Sequence, residues 1–262
     1  MKQITSRENS LYKELKLLAT SSQVRRKAGR TLLDGVHLCE AYKQHLGAPE
    51  LCIVSEAALG DPEVYQLLEA CESEHIQCIS LPANLYQAIS QVEHGVGIMF
   101  IISTPSPVLP ALIQENSVAL DGLQDPGNMG SILRSAAAAG IKNIFCSSGT
   151  VFAWSPKVMR AGMGAHFLLN IFENVDLNAV LRNTAIPVLG TSSHTETTIY
   201  QADLAQPLIW LFGHEGQGVS DSLMALADMT VTIPQQAAIE SLNVAASAAV
   251  CFFEQVRQQS FR

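Results

Sequence analysis

Three short loops carry the residues that could do chemistry. The first runs from Asp121 to Arg134 and joins Gly127, Asn128 and Gly130 to a solitary cation, Arg134. Its glycines let backbone N–H groups approach an anion, and Asn128 stands where a helix N-cap belongs. Arg134 is the only charge between Asp125 and Lys142. It snorkels, answers a nearby carboxylate, or is a fixed fork for a phosphate or a developing oxyanion. The second loop, Gly213 to Gly218, sets three glycines around His214, Glu215 and Gln217. It permits close backbone contact with a flat or charged ligand; otherwise it is a sharp turn with Glu215 in water and His214 structural. The third leads from Ile233 to Asn243. Ser241 is a natural N-cap there, and Asn243 is an amide that needs a partner once buried. Lys157 and Arg160, three apart after the Ser155-Pro156 helix start, share a face and either grip phosphate or form an ordinary exposed pair.

These loops require strands that end beside one another. Alternating apolar and helical patterns from Val118 onward supply them: strands at 118–120, 141–146, 167–171, 186–189, 208–212 and 229–233, with helices at 129–139, 156–160, 177–182, 221–227 and 242–258. This is the pattern of a doubly wound α/β sheet, which binds ligands beyond the carboxyl ends of its strands. Strands at 31–33, 51–54, 77–79 and 98–102, separated by helices at 36–44, 61–74 and 82–90, predict a smaller, largely parallel α/β layer before it. Pro105, Pro107 and Pro110 mark the connector. The expected division is 1–103, a linker at 104–116, and 117–262. The last helix is apolar on nearly every face, so it is buried within its own domain or packs a second subunit on its outer side.

Composition narrows the classes. Sixteen Lys and Arg against 24 Asp and Glu give a net charge of −8, so bulk electrostatics cannot coat nucleic acid, and a polyanion must dock locally. Residues 1–30 hold eight of those cations against Glu8 and Glu14, whereas residues 46–110 hold none. Arg25, Arg26, Lys27 and Arg30 form a candidate phosphate patch, or else a solvated helix face. Six cysteines without a C-x-x-C pair read as reduced core thiols, with no disulfide framework and no metal site. No apolar leader opens the chain, and prolines break the one charge-free stretch of membrane length, 95–114. The expectation is a cytoplasmic protein with no membrane partner. Signatures of P-loop NTPases, zinc proteases, α/β-hydrolases and Rossmann oxidoreductases are absent.

Taken in order, the loops resemble the three motifs of the SpoU (TrmH-like) branch of the SPOUT RNA methyltransferases. Asp125-Pro-x-Asn128-x-Gly-x-x-x-Arg134 resembles the first, Gly213-x-Glu215-Gly-x-Gly218 the second, and Ile233-Pro with Ser241-Leu-Asn243-Val the third. Ser155-Pro-Lys157-x-x-Arg160-Ala is similar to a further family segment. The first hundred residues look like the family's L30e-like substrate-binding domain, with Asp34-Gly35 where Glu-Gly is usual.

The resemblance implies a parallel α/β catalytic domain with a deep trefoil knot, an exception to the rule against threaded chains. It implies S-adenosylmethionine as cofactor, lined by Gly213, Ile233, Leu242, Gly218 and Thr191, and a catalytic group of Asn128, Arg134, Glu215, Ser241 and Asn243. It also implies a homodimer through the knot and terminal helix, structured RNA bound through Arg25, Arg26, Lys27, Arg30, Lys157 and Arg160, and methylation of a ribose 2′-hydroxyl. A guanidinium stays protonated, so the role carried over to Arg134 is stabilisation of the alkoxide and adjacent phosphate. Asn128, Ser241 and Asn243 would orient the ribose and loops, and Glu215 would brace the site or receive a proton. Ribosomal RNA is the leading substrate, with transfer RNA or a noncatalytic assembly role as alternatives. Gln235, Ala237 and Gly162 depart from the family's usual Met, Gly and Ser.

Overall fold

The computed structural model describes residues 1–92, 95–192, 195–236 and 241–260. The chain divides into two compact units, Met1–Pro105 with Trp154–Phe167, and Ser106–Ala153 with Leu168–Arg262.

The first unit contains β1 (Lys2–Gln3), α1 (Ser10–Thr20), α2 (Ser22–Ala28), β2 (Arg30–Asp34), α3 (Val36–Leu46), β3 (Leu51–Ser55), α4 (Pro62–Ser73), β4 (Cys78–Leu81), α5 (Ala83–Gln87) and β5 (Ile98–Ser103). Capping side chains start the helices: Asn9 accepts from Leu11 and Tyr12 N–H, and Asp61 from Glu63 and Val64 N–H just before Pro62. Leu15 and Leu18 of α1 join Leu32, Ile53, Ile79 and Ile101 in one core. The sheet order is β1-β4-β3-β5-β2. Only β1–β4 and β3–β4 are parallel, because β5 runs antiparallel to both β3 and β2. That corrects the largely parallel layer expected from the pattern. Residues 98–102 are buried throughout, and a run apolar on both faces carries no sign of its direction.

The chain continues through β6 (Ser117–Leu120), α6 (Pro126–Ala138), β7 (Asn143–Cys146), α7 (Pro156–Gly162), β8 (Asn170–Phe172), α8 (Leu177–Arg182), β9 (Val188–Thr191), β10 (Ile209–Phe212), α9 (Asp221–Met224), β11 (Met229–Val231) and α10 (Val244–Ser260). One segment departs from the expected division: α7, in the crossover from β7 to β8, lies in the first unit. There Thr31 Oγ1 donates to the Trp154 carbonyl at 2.7 Å, and Phe167 meets Tyr42 edge-on at 5.5 Å.

The second unit's six strands are all parallel, ordered β11-β9-β10-β6-β7-β8. The chain moves outward from β6 to β8 and then returns to the other side, so the winding reverses between β6 and β10. α10 packs on α6. It is pinned to the sheet by Gln255, which accepts from Trp210 Nε1 at 2.9 Å, and by Phe252, edge-on to Phe212 at 5.8 Å. Ala248, Cys251 and Phe252 face inward, whereas Ala246, Val250 and Phe253 remain exposed on the outer side, Phe253 by 49%. All six cysteines are buried, and none is in a disulfide. Among the described residues no cluster of His, Cys, Asp or Glu is placed to hold a metal ion, and no helix is long and apolar enough to cross a membrane.

Candidate active site

Parallel pairing of β6 with β10 sets Leu120 opposite Phe212, so the loops that follow them start side by side. Asp121 N–H donates to the Phe212 carbonyl at 2.8 Å. Two carboxylates then tie these loops in opposite senses. Asp121 Oδ2, from the first, accepts Ser220 N–H at 3.0 Å beyond the second. Glu215, from the second, accepts Gln124 N–H at 3.1 Å, Asp125 N–H at 2.9 Å and Asn128 Nδ2–H at 3.0 Å.

Asn128 is free to do this because it is not the helix cap. Asp125 caps α6, accepting Asn128 N–H at 2.8 Å, with Pro126 in the first turn where no N–H is needed. The N-cap expected at Asn128 is thus corrected by three residues. The third loop joins through Asn243, whose Nδ2–H donates to Asn128 Oδ1 at 2.8 Å. Asn243 Oδ1 accepts Ala245 and Ala246 N–H at 2.9 and 3.2 Å, which makes it the cap of α10 in place of Ser241. Ser241 lies exposed two residues earlier. An amide has one accepting and one donating end, so the order of donors runs in one direction: Asn243 to Asn128 to Glu215.

Partial burial opposes ionisation of Glu215. The bonds from Asn128 Nδ2 and the backbone N–H groups of Asp125, Glu215 and Gln124 outweigh it and hold the carboxyl below the usual glutamate value. His214 shapes the bend that carries Glu215. Its Nδ1 accepts Gly216 and Gln217 N–H at 3.0 and 3.2 Å, while its backbone pairs with Gly218 in both directions at 2.9 and 2.8 Å. The bend is so tight that a Cβ on Gly213 would stand 2.1 Å from the Gly218 carbonyl carbon, and Gly218 itself has φ +72°. Glycine is required at both places.

Arg134 lies on the exposed side of α6, in line with Gly127 and Ser131, and makes no hydrogen bond or ion pair among the described residues. Among the described residues it answers no carboxylate. Thr191, at the end of β9, donates from Oγ1 to the Leu211 carbonyl at 3.2 Å and stands opposite Val231 of β11. The carboxyl ends of β9, β10 and β11 are therefore adjacent, with Thr191, Gly213 and Ile233 at or just beyond them. Leu242 is 36% exposed. Gln235 is exposed, and Ala237 falls outside the described residues.

The basic residues near the amino end divide. Arg25 is buried, and its Nη1–H groups donate to the Leu18 and Ala19 carbonyls at 2.6 and 3.2 Å, closing the end of α1. Arg30 is held between Glu14 and Glu50. These two are committed to the fold and do not belong to a free phosphate patch. Arg26 and Lys27 are exposed, as is Lys157, while Arg160 is half-buried and donates to the Gln91 carbonyl at 2.6 Å. Sequence reasoning missed the bracing by Asp121 and the cap at Asp125, although Asp-Pro before a helical run is a start signal.

Residues 115–253 match the model of the SpoU rRNA Methylase family. The chain is 32% identical over 264 residues to an uncharacterized tRNA/rRNA methyltransferase of Synechocystis sp., covering 98% of this chain and 94% of that one. It is 28% identical to the 23S rRNA (guanosine(2553)-2′-O)-methyltransferase RlmP of Bacillus subtilis, over 97% and 98% of the two chains. The fold matches the crystal structure of an RNA 2′-O ribose methyltransferase with a TM-score of 0.82 at 27% identity, covering 99% of this chain and 100% of that one. It also matches the SpoU methyltransferase AviRb of Streptomyces viridochromogenes in complex with AdoMet, with a TM-score of 0.88 at 24% identity over 97% and 99% of the chains; that second likeness is one of fold. With its parallel α/β sheet and its three joined loops, the chain belongs to the SpoU rRNA methylase family.

Proposed function

We propose that the protein transfers a methyl group from S-adenosylmethionine to a ribose 2′-hydroxyl of ribosomal RNA. The observation that carries this reading is the chain of bonds from Asn243 through Asn128 to Glu215, which joins all three motif loops; Arg134 lies further along the helix that carries Asn128, exposed and without a hydrogen-bond or ion-pair partner among the described residues. A fold that only bound RNA would have no use for this convergence. S-adenosylmethionine, when bound, supplies an electrophilic methyl group on a cationic sulfur.

The residues at the carboxyl ends of β9, β10 and β11 suit that ligand. Gly213 brings backbone too close for any side chain, and no Lys or Arg occurs between Arg182 and Arg257, so nothing there repels a sulfonium. Gly213, Gly218, Thr191, Ile233 and Leu242 would hold it, mostly through backbone groups. A neutral hydroxyl is a poor nucleophile, so its alkoxide must be stabilised. Arg134 has its guanidinium unspent and serves as that electrostatic partner. Glu215, saturated with N–H donors, braces Asn128 and the first loop, while Asn128, Asn243 and Ser241 orient the ribose.

The same reading extends to a deep trefoil knot in which the second and third loops cross, to a first unit acting as an L30e-like RNA-binding domain, and to a cytoplasmic homodimer. The exposed Ala246, Val250 and Phe253 on α10 support the dimer, since an apolar outer face at the site's own helix calls for a cover. Arg26, Lys27, Lys157 and Arg160 are the RNA contacts retained. The test is incubation of the purified protein with methyl-labelled S-adenosylmethionine and total RNA from a strain lacking the gene. A labelled 2′-O-methylribose in ribosomal RNA is expected; label on a base, or none, overturns the reading.

A further inference from the structure

Asp34 ends β2 as a buried carboxylate, 7% exposed, that no cation pairs among the described residues. Burying a carboxylate without a counter-charge is costly, so its donors must compensate. They come from one stretch of chain. Tyr86 OH donates to Oδ1 at 3.3 Å, and Ser90 Oγ–H and Gln91 N–H donate to Oδ2 at 2.7 and 2.9 Å. Ser90 Oγ in turn accepts Val92 N–H at 3.1 Å, which closes residues 90–92 into a compact turn. The other polar end of Gln91, its carbonyl, takes the Arg160 Nη1–H at 2.6 Å.

Gln91 is therefore clasped on its N–H by an anion and on its carbonyl by a cation, and the two charges never touch each other. One of five guanidinium donors is engaged in this way, and the rest of the fork stays available to a phosphate. Lys157, one turn earlier on α7, is exposed on the same helix. We propose that Asp34 is a positioning residue for RNA binding: by fixing residues 90–92 it holds Arg160 in a single orientation, so that the guanidinium meets the RNA backbone already ordered. This rests on the reading of the first unit as the RNA-binding domain. It explains why a carboxylate, which the core itself does not need, stands at the end of β2.

The experiment uses the full chain and deproteinised 23S rRNA, with affinity measured across a KCl series. Arg160→Ala is expected to weaken binding and to flatten the slope of log K against log [salt] by about 0.7–0.9, one phosphate contact. Asp34→Ala should reproduce both changes, and the double variant Asp34→Ala/Arg160→Ala should bind no more weakly than Arg160→Ala alone. Affinity for S-adenosylmethionine should be unchanged in all three. Ser90→Ala, which removes one bond to Asp34, should give a smaller loss that likewise disappears in the Arg160→Ala background; it serves as the test if Asp34→Ala does not fold. A fully additive double variant, or an Asp34→Ala that binds with wild-type affinity and slope, overturns the proposal. Wild-type protein that does not bind 23S rRNA at all overturns instead the reading of the first unit, and Asp34's role with it.

Discussion

Asn243 donates to Asn128 at 2.8 Å across 115 residues of sequence, and in doing so fixes which end of each amide points where. The Asn243 oxygen is taken by the first N–H groups of α10, leaving its NH2 for Asn128; the Asn128 oxygen is thereby occupied, leaving its NH2 for Glu215. Reversing either amide would set donor against donor at one end and acceptor against acceptor at the other.

That directionality makes Asn128→Asp more harmful than its size suggests. A carboxylate at 128 would face Glu215 at hydrogen-bond distance, like charge against like, with no donor between them. Methyl transfer is expected to fall by about 10²-fold or more, and Glu215→Gln in the same chain to restore part of it. Kinetics of the single and double variants check this; a single variant with wild-type rate contradicts the chain of donors.

Glu215 also sets an acid limit. Its folded carboxyl titrates below the unfolded value, so its ionised form contributes stability above about pH 4.3, the ordinary glutamate range, and loses it as pH falls through the lower folded value. The melting-temperature advantage of wild type over Glu215→Gln should be constant above about pH 6 and shrink below the ordinary value. An advantage undiminished at pH 3 would count against the carboxylate as the brace.

Arg134→Ala should abolish methyl transfer, by about 10²–10³-fold, while calorimetry still detects S-adenosylmethionine and the melting temperature stays within error, since the side chain is exposed and unpartnered. Arg134→Lys keeps the charge but loses the fork and should recover little. Equal rates for wild type and Arg134→Ala would remove the oxyanion role.

Neighbouring arginines should separate by effect. Arg25→Ala strips two carbonyls of a buried donor and should cost about 1–3 kcal/mol of stability. Lys27→Ala should leave the melting temperature unchanged and, together with Arg26→Ala, weaken RNA affinity with a shallower salt dependence. Denaturation and binding in a salt series distinguish the two, and an exchange of these outcomes would refute the assignment.

Phe253→Asp on the outer side of α10 should convert a dimer to monomers in sedimentation and depress methyl transfer with it. Wild-type protein that sediments as a monomer would rule out the homodimer.

Much of this was legible in the chain because strand and helix signals were local. Apolar runs bounded by turns fixed the existence of most strands, and the loops could be found because their glycines interrupt those runs. What failed was whatever depends on distant partners. Ser241 and Asn128 both looked like caps, since each is a capping residue before a helical pattern; Pro126 moves the first helix start to Asp125, and a contact with Asn128 made 243 the second. Arg25 read as one of four equivalent cations until its burial against the end of α1 appeared. The antiparallel β5 gave no sign of its direction, because both its faces are apolar.

The placement of Trp154–Phe167 has a practical consequence. The amino-terminal module is completed by fourteen residues encoded downstream of the first motif, so no single cut in the gene separates the two modules intact. A truncation that begins in the proline connector would leave Trp154, Val158 and Met159, all buried in the whole protein, without the surfaces that bury them. Exchange of the first unit between relatives must therefore transplant two segments together, or yield a second unit prone to aggregate.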